Sequence, residues 1–539
     1  MSQMAGEFDF VVVGAGSAGC ALAAKLSQSG QFSVALLEAG EDDSWIWLRI
    51  PAGVAHIVRG ERSLWRFHTE PEHQMKSRRI FWPRGKVLGG SSTVNGMIWS
   101  HGDPQEFDDW RDHFGLSDWG FSSVKPVFRD IESYAAGDPR LRGGHGPVSI
   151  TEYSPKLPLM HDFVTACNTA GIPINPDYNA DNYEGVGFLQ FNTRRGWRFG
   201  AREAYLKTAQ NRHSLHIFQG AMTQRVIIEN KRAKGVEFLR NNAGFKVLAR
   251  KEVILCAGAL QSPQLLELSG VGQPELLQSL GIPVVHAAKN VGENLHDHLH
   301  TRVNFEVRGV STLNQIMPSY WRKGLMALRW LVAGDGLMSV SGQTIHALAK
   351  VSPESPRVEM KLQLHWLSSP DARDPKKLVL DPFPGVSIGT FPLRPRSRGH
   401  VHAASPDVRI HPKIVANYLD HEDDRAHTVA ALRMARTIMA QPAMSKWVVR
   451  EDRPGNSAVT DDELLDYVRT IGQTSYHPVG TCRMGGDDAS VVDPELRVRG
   501  VEALRVADAS VFPTMPSSNT NAASMMVGER AARYILGHN

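Results

Sequence analysis

A glycine-rich segment near the start of the chain has the residue types and spacing of a loop that binds phosphate. It reads Gly-Ala-Gly-Ser-Ala-Gly from Gly14 to Gly19. In this pattern Gly14 permits a tight turn, Gly16 lets the backbone approach a pyrophosphate, and Gly19 lets a helix pack closely on a strand. Ser17 precedes that helix and Ala18 begins it, and the N-terminus of the helix favours anionic phosphates. The segment therefore predicts a dinucleotide site.

The elements around this loop are expected in the order strand, helix, strand. An apolar run at 8–13 precedes the loop, helical composition follows at 18–29, and a second buried strand at 33–37 ends at Glu38. A carboxylate at Glu38, with Ala39 after it, can accept from both ribose hydroxyls and would repel a 2′-phosphate. The unit predicts a right-handed parallel crossover that binds FAD or NAD and argues against NADP.

Later segments predict a second, different region. Alternating residues at 360–366 indicate antiparallel strands, and prolines, tryptophans and histidines become more frequent between about 310 and 465. We therefore expect an α/β fold in which a Rossmann-like cofactor domain carries an inserted α+β substrate domain with an antiparallel sheet. The cofactor domain is assigned to 1–155, 197–309 and 466–539, and the substrate domain to 156–196 and 310–465.

Two further glycine-rich segments and two C-terminal stretches carry a family resemblance. The first reads Gly-Lys-Val-Leu-Gly-Gly-Ser-Ser-Thr-Val-Asn at 85–95, and the second begins Gly-Ala-Leu-Gln-Ser-Pro and spans 258–272. Both resemble, position for position, the signature patterns of the glucose–methanol–choline (GMC) oxidoreductases. Residues 477–484 and 504–510 are also similar to that family. As a whole, the chain resembles the choline dehydrogenase-like bacterial members of the family.

This resemblance implies that the dinucleotide is FAD. The loop at 89–92 offers backbone N–H groups and hydroxyls to a pyrophosphate and to the polar edge of an isoalloxazine. Some family members attach the flavin through a histidine where this chain has Val94, so a non-covalent, dissociable FAD is expected. The further residues that the resemblance places at the cofactor are Val87, Gly90, Ser91, Asn95, Gly96, Met97, Ile98, Val226, Ala257, Asp508, Ala509 and Thr520.

The resemblance also selects the catalytic residues. Removing a hydroxyl proton near neutral pH favours a histidine base, but the chain has 22 histidines and composition selects none. His477 falls where the family has its active-site histidine, and Asn521 falls at the place of the partner amide. Asn519, in the same Asn-Thr-Asn run, is the alternative partner if the match to the family is one step out of register. His296 and His298 look like metal ligands, but they lie in a stretch similar to a structural segment of the family, so no metal is expected.

Composition bounds the setting of the protein. The 539 residues carry a net charge of +4 from 60 basic and 56 acidic residues, with no basic run that would bind nucleic acid. The four cysteines are far apart and predict isolated buried thiols. The sequence lacks a segment typical of a signal peptide or a transmembrane helix. We expect a cytoplasmic monomer or dimer, with peripheral membrane contact left open.

The function expected from the sequence is oxidation of a primary alcohol to an aldehyde, with His477 as the base and flavin N5 receiving the hydride. A choline dehydrogenase proper, a flavin-containing cyanohydrin lyase and a non-enzymatic dinucleotide sensor remain as alternatives. The electron acceptor, O₂ or a quinone or another carrier, stays open, as does the particular alcohol.

Overall fold

Two seven-stranded sheets organise the computed structural model, which describes residues 2–41, 44–370 and 379–537. Smaller two-stranded sheets lie around them. The strands of these small sheets pair as Leu64–His68 with Phe81–Gly85, Glu132–Ser133 with Val148–Ser149, Thr151–Glu152 with Gln190–Phe191, Thr193–Arg194 with Trp197–Arg198, Val271–Gly272 with His286–Ala287, and His400–His402 with Lys413–Val415.

The first sheet contains the predicted strand–helix–strand unit. The strand Gln3–Val13 pairs in parallel with Val34–Glu38 on one side and with Ala243–Leu255 on the other. Side chains of both faces are buried along its apolar end, as a parallel sheet covered on two sides requires. The full order is Leu215–Gln219, Val34–Glu38, Gln3–Val13, Ala243–Leu255, Arg232–Arg240 and Met222–Glu229, with Leu504–Val506 beside Ala243–Leu255.

The second sheet is antiparallel, which agrees with the α/β fold carrying an antiparallel substrate region. Its order is Val448–Arg453, Leu299–Val307, Gly385–Pro392, Met360–His365, Gln343–Ala349 and Gly185–Phe188, with Gln473–Thr474 beside Leu299–Val307.

Two strands of this second sheet fall outside the residues that the sequence assigned to the substrate domain. Leu299–Val307 and Gln473–Thr474 were placed with the cofactor domain, yet both pair within the second sheet. Neither strand carries a local signal of its sheet, because strand partners come from distant parts of the chain. The predicted boundaries at 309 and 466 therefore separate these two strands from the other strands of the sheet in which they pair.

Helices cover both sheets. The C-terminal helix Asn521–Leu536 packs directly on Ser17–Leu26: a Cβ at Gly528 would lie 2.3 Å from the Ala18 carbonyl oxygen. The longer helices are Ser17–Leu26, Pro104–Phe114, Phe121–Ile131, Pro158–Thr169, Gln261–Leu268, Tyr320–Ala333, Glu422–Met439, Asp461–Ile471 and Asn521–Leu536, and the shorter ones are Val54–Arg59, Lys207–Ala209, Pro274–Ser279, Leu313–Ile316 and Pro442–Ser445.

Candidate active site

The glycine loop lies between the first strand and the first helix, where steric contacts dictate its composition. Gly14 has φ +99, and a Cβ there would lie 2.4 Å from the carbonyl oxygen of Cys256. A Cβ at Gly19 would lie 1.9 Å from the Gly14 carbonyl oxygen. Only glycine fits at either position. Gly16 differs, because a Cβ there would meet no atom closer than 4.0 Å.

An open cleft with an empty volume of about 1020 Å³ begins at this loop. Trp65, Arg84, Thr223 and Pro478 line it although no sequence signal pointed to a role for them at the cofactor. Most of the residues predicted to hold the cofactor meet in this one cleft. Those in its lining are Gly14, Gly16, Ser17, Ala18, Glu38, Ala39, Gly90, Ser91, Ala257, Asp508 and Ala509.

Glu38 closes its strand at the floor of the cleft. Its two carboxylate oxygens accept from the backbone N–H groups of Ala15, at 3.0 Å, and Gly40, at 2.8 Å. Burial raises the pKa of Glu38 to about 7. The remaining lone pairs of this carboxyl can accept from a ribose hydroxyl.

The loop before Asn95 folds back onto the first glycine loop. The Gly89 N–H donates to the Ala15 carbonyl oxygen at 2.8 Å, and a Cβ at Gly90 would lie 2.7 Å from the Cα of Gly16. The Asn95 side-chain oxygen accepts from the Met97 N–H at 2.9 Å and so holds the next turn. Predicted cofactor residues that lie outside the lining of the cleft are Gly19, Val87, Asn95, Gly96, Met97, Ile98, Val226 and Thr520.

Val226 lies outside the lining of the cleft, and its contact with the adenine stays a prediction. Its side chain is buried, and its N–H donates to the Ser269 hydroxyl at 2.8 Å. Met222 and Thr223, earlier on the same strand, line the cleft instead. The strand was found correctly, but the edge that faces the cleft depends on where the strand enters the sheet.

Asp508 joins two loops at the cleft. It accepts from the Gly258 N–H at 2.9 Å, from the Ser262 hydroxyl at 2.5 Å and from the Ser510 N–H at 2.8 Å. The carboxylate thereby ties the start of the helix Gln261–Leu268 to the C-terminal segment. We assign Asp508 a structural role, in which it holds these two loops together.

His477 lies beside the cleft in a chain of hydrogen bonds whose direction can be derived. The His298 Nε2 lies 2.9 Å from the Leu393 carbonyl oxygen, which can only accept, so His298 carries its proton on Nε2. Its Nδ1 then accepts from Nδ1–H of His477, at 3.0 Å. The lone pair of a neutral His477 is therefore on Nε2, which faces the Asn519 amide nitrogen at 3.0 Å.

The orientation of the Asn519 amide is fixed from the other side. The ammonium group of Lys361 can only donate, and it lies 2.8 Å from Asn519 Oδ1. The amide nitrogen must then face His477, which agrees with an accepting Nε2 on the histidine. Lys361, Asn519, His477 and His298 form one directed chain.

The ionisable groups here have shifted pKa values. The pKa of His477 lies well below its usual value, because it is buried and because His298 and Lys361 lie close. Burial lowers the pKa of His298 to about 3 and that of Lys361 to about 7. Burial also raises the pKa of Asp297, whose carboxylate accepts from the His477 N–H at 2.7 Å, to about 6. At neutral pH His477 is thus a neutral acceptor.

Asn521, which the sequence paired with His477, is wrong for that role. It is the first residue of the C-terminal helix, and its side-chain oxygen accepts from the Ser17 hydroxyl at 2.8 Å. Its Nδ2 is buried without a protein partner. Asn519 precedes the helix, and its side chain points to His477. Which of the two asparagines faces His477 depends on the residue at which this helix begins, and the Asn-Thr-Asn run does not reveal that residue.

Two further residues of the site were missed by the sequence analysis. His298 was read as part of a structural stretch, and Lys361 carried no signal beyond lying on an alternating strand. Among the residues the structure describes, no three histidine, cysteine or acidic side chains are grouped as metal ligands. The four cysteines are free and buried. No described helix is both long and apolar enough to cross a bilayer.

Fold and cleft together define a dinucleotide-binding protein with a neutral histidine and an amide beside the binding cleft. The family model "GMC oxidoreductase" matches residues 8–300 and 395–528. The chain belongs to the GMC oxidoreductase family, and it is an FAD-dependent alcohol oxidoreductase.

Relatives and solved structures agree over almost the full length. The oxygen-dependent choline dehydrogenase of Cronobacter sakazakii is 40% identical over 540 residues, covering 98% of this chain and 95% of the relative. That of Vibrio vulnificus is 38% identical over 535 residues, covering 98% and 94%. The crystal structure of pyridoxine 4-oxidase from Mesorbium loti matches with a TM-score of 0.89 and 29% identity, covering 98% of this chain and 99% of the other.

Proposed function

We propose that this protein oxidises a primary alcohol to an aldehyde, with Nε2 of His477 as the base. The observation that carries the proposal is the directed hydrogen-bond chain, which leaves a lone pair on Nε2 at neutral pH. FAD fits the cleft, because Gly14, Gly16 and Gly90 leave a cradle without side chains and Asn521 Nδ2 is a buried donor without a protein partner. Bound there, the flavin supplies a hydride acceptor.

The chain's own residues handle the proton. The substrate hydroxyl displaces the Asn519 amide from Nε2, and His477 takes the hydroxyl proton as the O–H bond breaks. The Asn519 N–H groups donate to the forming alkoxide, and Lys361 keeps the amide turned that way. Bound FAD would supply the acceptor for the hydride that leaves the alcohol carbon, which would leave the carbonyl double bond of the aldehyde. A general base of this kind contributes ~10²–10⁴-fold.

Anaerobic mixing of the yellow holoenzyme with a panel of primary alcohols tests this function. We expect the flavin absorbance near 450 nm to bleach with one equivalent of aldehyde formed. A cyanohydrin lyase would cleave a cyanohydrin while the colour persists, and a sensor would bind without bleaching. An unchanged spectrum across aliphatic, aromatic and choline-type alcohols would refute oxidation.

Choline is a second candidate substrate, supported by relatives at 38% and 40% identity that are named choline dehydrogenases. Pyridoxine belongs in the same panel because a 29% identical neighbour is named for it. The rate of flavin reduction, compared between choline and the other alcohols, distinguishes the candidates.

We further infer a two-region division, in which the first sheet belongs to the cofactor region and the second to the substrate region.

Admitting air to the bleached enzyme distinguishes O₂ from a quinone as the electron acceptor. Rapid return of the yellow colour supports an oxidase, and slow return supports a dehydrogenase with another carrier.

We also propose that the protein is a cytoplasmic monomer or dimer.

A further inference from the structure

One face of the second sheet carries buried polar side chains. The strand pairs place His346 opposite Gln363, Gln363 opposite Gly389, and Gly389 opposite Arg302. Directly opposed residues share a face, and so do residues two apart on one strand. The polar members of this face include His300, Arg302, Asn304, Glu306, His346, Lys361, Gln363, His365 and Ser387.

Several of these side chains have polar atoms without a protein partner. Both ring nitrogens of His346, Nε2 of Gln363 and Nε2 of His365 are buried and unpaired. These residues are 0%, 4% and 2% exposed. A buried polar atom left without a partner is destabilising, so such atoms are normally satisfied by water or by a ligand. We therefore expect water or a polar ligand to bind at this face.

The face adjoins the reacting pair. Lys361, one of its members, donates to the same Asn519 amide that faces His477. The ring of Phe391, paired across from Lys361, lies 6.0 Å from the ring of His477. A Cβ at Gly389 would lie 2.5 Å from Nε2 of both His300 and His365, so glycine is what leaves these rings in place.

The charge of this face does not suit a cation, because Glu306, its acidic member, is already paired with Arg450. Burial is the only cause that shifts the pKa of Lys361, and no carboxylate among the described residues is paired with it. Asp297, the acid nearest to His477, is occupied by the His477 N–H and by the hydroxyls of Thr474 and Tyr418. A quaternary ammonium calls for aromatic rings and negative charge, whereas Lys361 offers a donor to an anion.

We propose that this polar face is the substrate-binding surface and that it takes an alcohol bearing an anionic oxygen near the reacting carbon. The proposal rests on the proposed alcohol oxidation. Lys361 and Nε2 of His477 contact opposite ends of one amide, so the anionic group and the hydroxyl of the substrate are separated by only a few bonds. The histidines and Gln363 complete the hydrogen bonds of the anionic group.

A matched set of three alcohols tests the substrate class, since each carries the same hydroxyethyl group. These are 3-hydroxypropanoate, 3-hydroxypropanamide and choline. We expect the apparent Kd from anaerobic flavin reduction to be at least about tenfold lower for the carboxylate than for choline, with the amide between them. If choline reduces the flavin with an equal or lower Kd, the proposal is overturned while alcohol oxidation stands. If none of these compounds and no alcohol of the wider panel bleaches the flavin, alcohol oxidation itself fails.

Two variants test whether Lys361 causes the preference for the carboxylate over choline. Lys361→Met removes the ammonium at similar length, and we expect the ratio of the two Kd values to fall to within about twofold. Leu362→Met is the matched control: Leu362 is buried next to Lys361 on the same strand but on the opposite face, and the preference for the carboxylate should persist. A preference that survives in Lys361→Met would overturn the assignment of Lys361. If that variant does not fold, the wild-type ratio still decides the substrate class.

A second, independent feature is the outer side of the helix Tyr320–Ala333. Tyr320, Trp321 and Val332 are 87%, 75% and 81% exposed. At 100° per residue the exposed apolar side chains span an arc of about 140° on the solvent side. The members of this apolar arc are Tyr320, Trp321, Leu325, Leu328, Leu331 and Val332.

The inward side of this helix already has its partner. The Trp330 ring nitrogen donates to the Gly196 carbonyl oxygen at 2.8 Å, and its ring lies 4.4 Å from that of Trp197. The apolar arc is therefore additional to the core contact. Contiguous exposed apolar surface of this kind marks an interaction site.

The borders of the arc are basic. Arg322, Lys323 and Arg329 lie on the helix, which contains no acidic residue. Of these three, Arg329 alone has an ion pair within the described part of the chain, with Asp335. Aromatic and aliphatic side chains bordered by cations are typical of a helix that lies in the interface of an anionic bilayer. We propose that the apolar arc inserts into the surface of an anionic lipid bilayer. A second copy of this chain would set like charges against each other.

Sedimentation of the holoenzyme with vesicles tests this proposal. We expect binding to phosphatidylcholine vesicles containing 30% phosphatidylglycerol, and at least about tenfold weaker binding for Leu328→Glu/Val332→Glu. Val459→Glu, at an apolar side chain 61% exposed elsewhere, is the matched control and should bind like the wild type. Wild-type protein that stays in the supernatant overturns the proposal. A double variant that still binds the vesicles also overturns the proposal. A double variant whose only change is in the molecular mass measured by light scattering overturns it as well.

Discussion

His477 is neutral and carries its lone pair on Nε2 because of the residues at its two ring nitrogens. Its Nδ1–H is held by His298, which is itself held by the Leu393 carbonyl oxygen, and its Nε2 faces the Asn519 amide. Burial and neighbouring cationic groups keep the pKa of His477 low. Tautomer and charge are thus both set by contacts outside the histidine, as a proton acceptor requires.

Replacing this histidine should separate chemistry from cofactor binding. We expect His477→Ala to retain yellow FAD and to slow anaerobic flavin reduction by ~10²–10⁴-fold, because the proton acceptor is lost while the cleft is intact. Stopped-flow absorbance near 450 nm gives the rate. Reduction at the wild-type rate would remove His477 from the mechanism.

The two asparagines of the Asn-Thr-Asn run should have different defects. Asn519→Ala removes the amide that faces His477, and we expect flavin reduction to slow about 10–1000-fold, in line with loss of a single donor to a forming oxyanion. Asn521→Ala removes a side chain bonded to Ser17 at the cofactor loop, and we expect FAD content to fall while the loaded fraction still reacts. Equal reaction rates in the loaded fractions of both variants would contradict this assignment.

At the scale of elements, the cofactor cleft is built where loops that follow strands meet the N-termini of helices. The loop after Gln3–Val13 supplies Gly14 and Gly16, and the segment before the helix Asn521–Leu536 delivers Asn519. Close helix packing through Gly528 brings that C-terminal segment beside the first loop, although the two are far apart in sequence. The second sheet then places Lys361 against Asn519.

The glycines of the first loop should respond differently to substitution. Gly16→Val should yield folded protein without FAD, because the added side chain meets no protein atom nearby but occupies the cleft. Gly14→Val should instead lower the yield of folded protein, since its Cβ would clash with Cys256. The flavin-to-protein absorbance ratio and circular dichroism check both. A fully loaded Gly16→Val protein would argue against the cleft as the cofactor site.

At the scale of the whole molecule, a buried network joins distant segments. Glu132 accepts from both Nε and Nη2 of Arg142, at 2.8 Å and 2.7 Å, and its Oε2 also accepts from the Trp99 ring nitrogen at 3.0 Å. Arg142 in turn donates to Asp177 and Gln190. A single carboxylate and a single guanidinium thus connect the end of the 85–99 segment with the strands around residue 190.

Acid should weaken this network with a defined sign. Burial opposes ionisation of Glu132, but His101 and Arg142 together lower its pKa well below the usual value of 4.5. Its contribution to stability is therefore complete above pH 4.5 and is lost as the pH falls through the lower folded-state value. We expect Arg142→Met to cost about 3–5 kcal/mol by leaving a buried charge unpaired.

Urea unfolding followed by tryptophan fluorescence measures this effect. The double variant Arg142→Met/Glu132→Gln should recover part of the loss, and its unfolding midpoint should depend less on pH below 4.5 than that of the wild type. An Arg142→Met protein as stable as the wild type would contradict the role of the network.

Some features of this protein follow from the sequence alone, because local sterics and chemistry fix them. The strand, the glycine turn, the helix and the terminal acid Glu38 are contiguous, so their spacing predicts the dinucleotide loop directly. His477, and five of the residues that line the cleft, were predicted through the distributed family resemblance: Gly90, Ser91, Ala257, Asp508 and Ala509. These predictions do not depend on how distant segments meet.

Other features were decided only by the tertiary structure. Whether Asn519 or Asn521 faces His477 depends on the residue at which the last helix begins and on its packing against the first helix. The strand Leu299–Val307 joined the second sheet because it pairs with residues 79 to 89 positions later in the chain. Lys361 reached Asn519 across 158 positions. Local patterns predict contiguous elements, but contacts between distant segments are fixed only when the sheets and helices pack together.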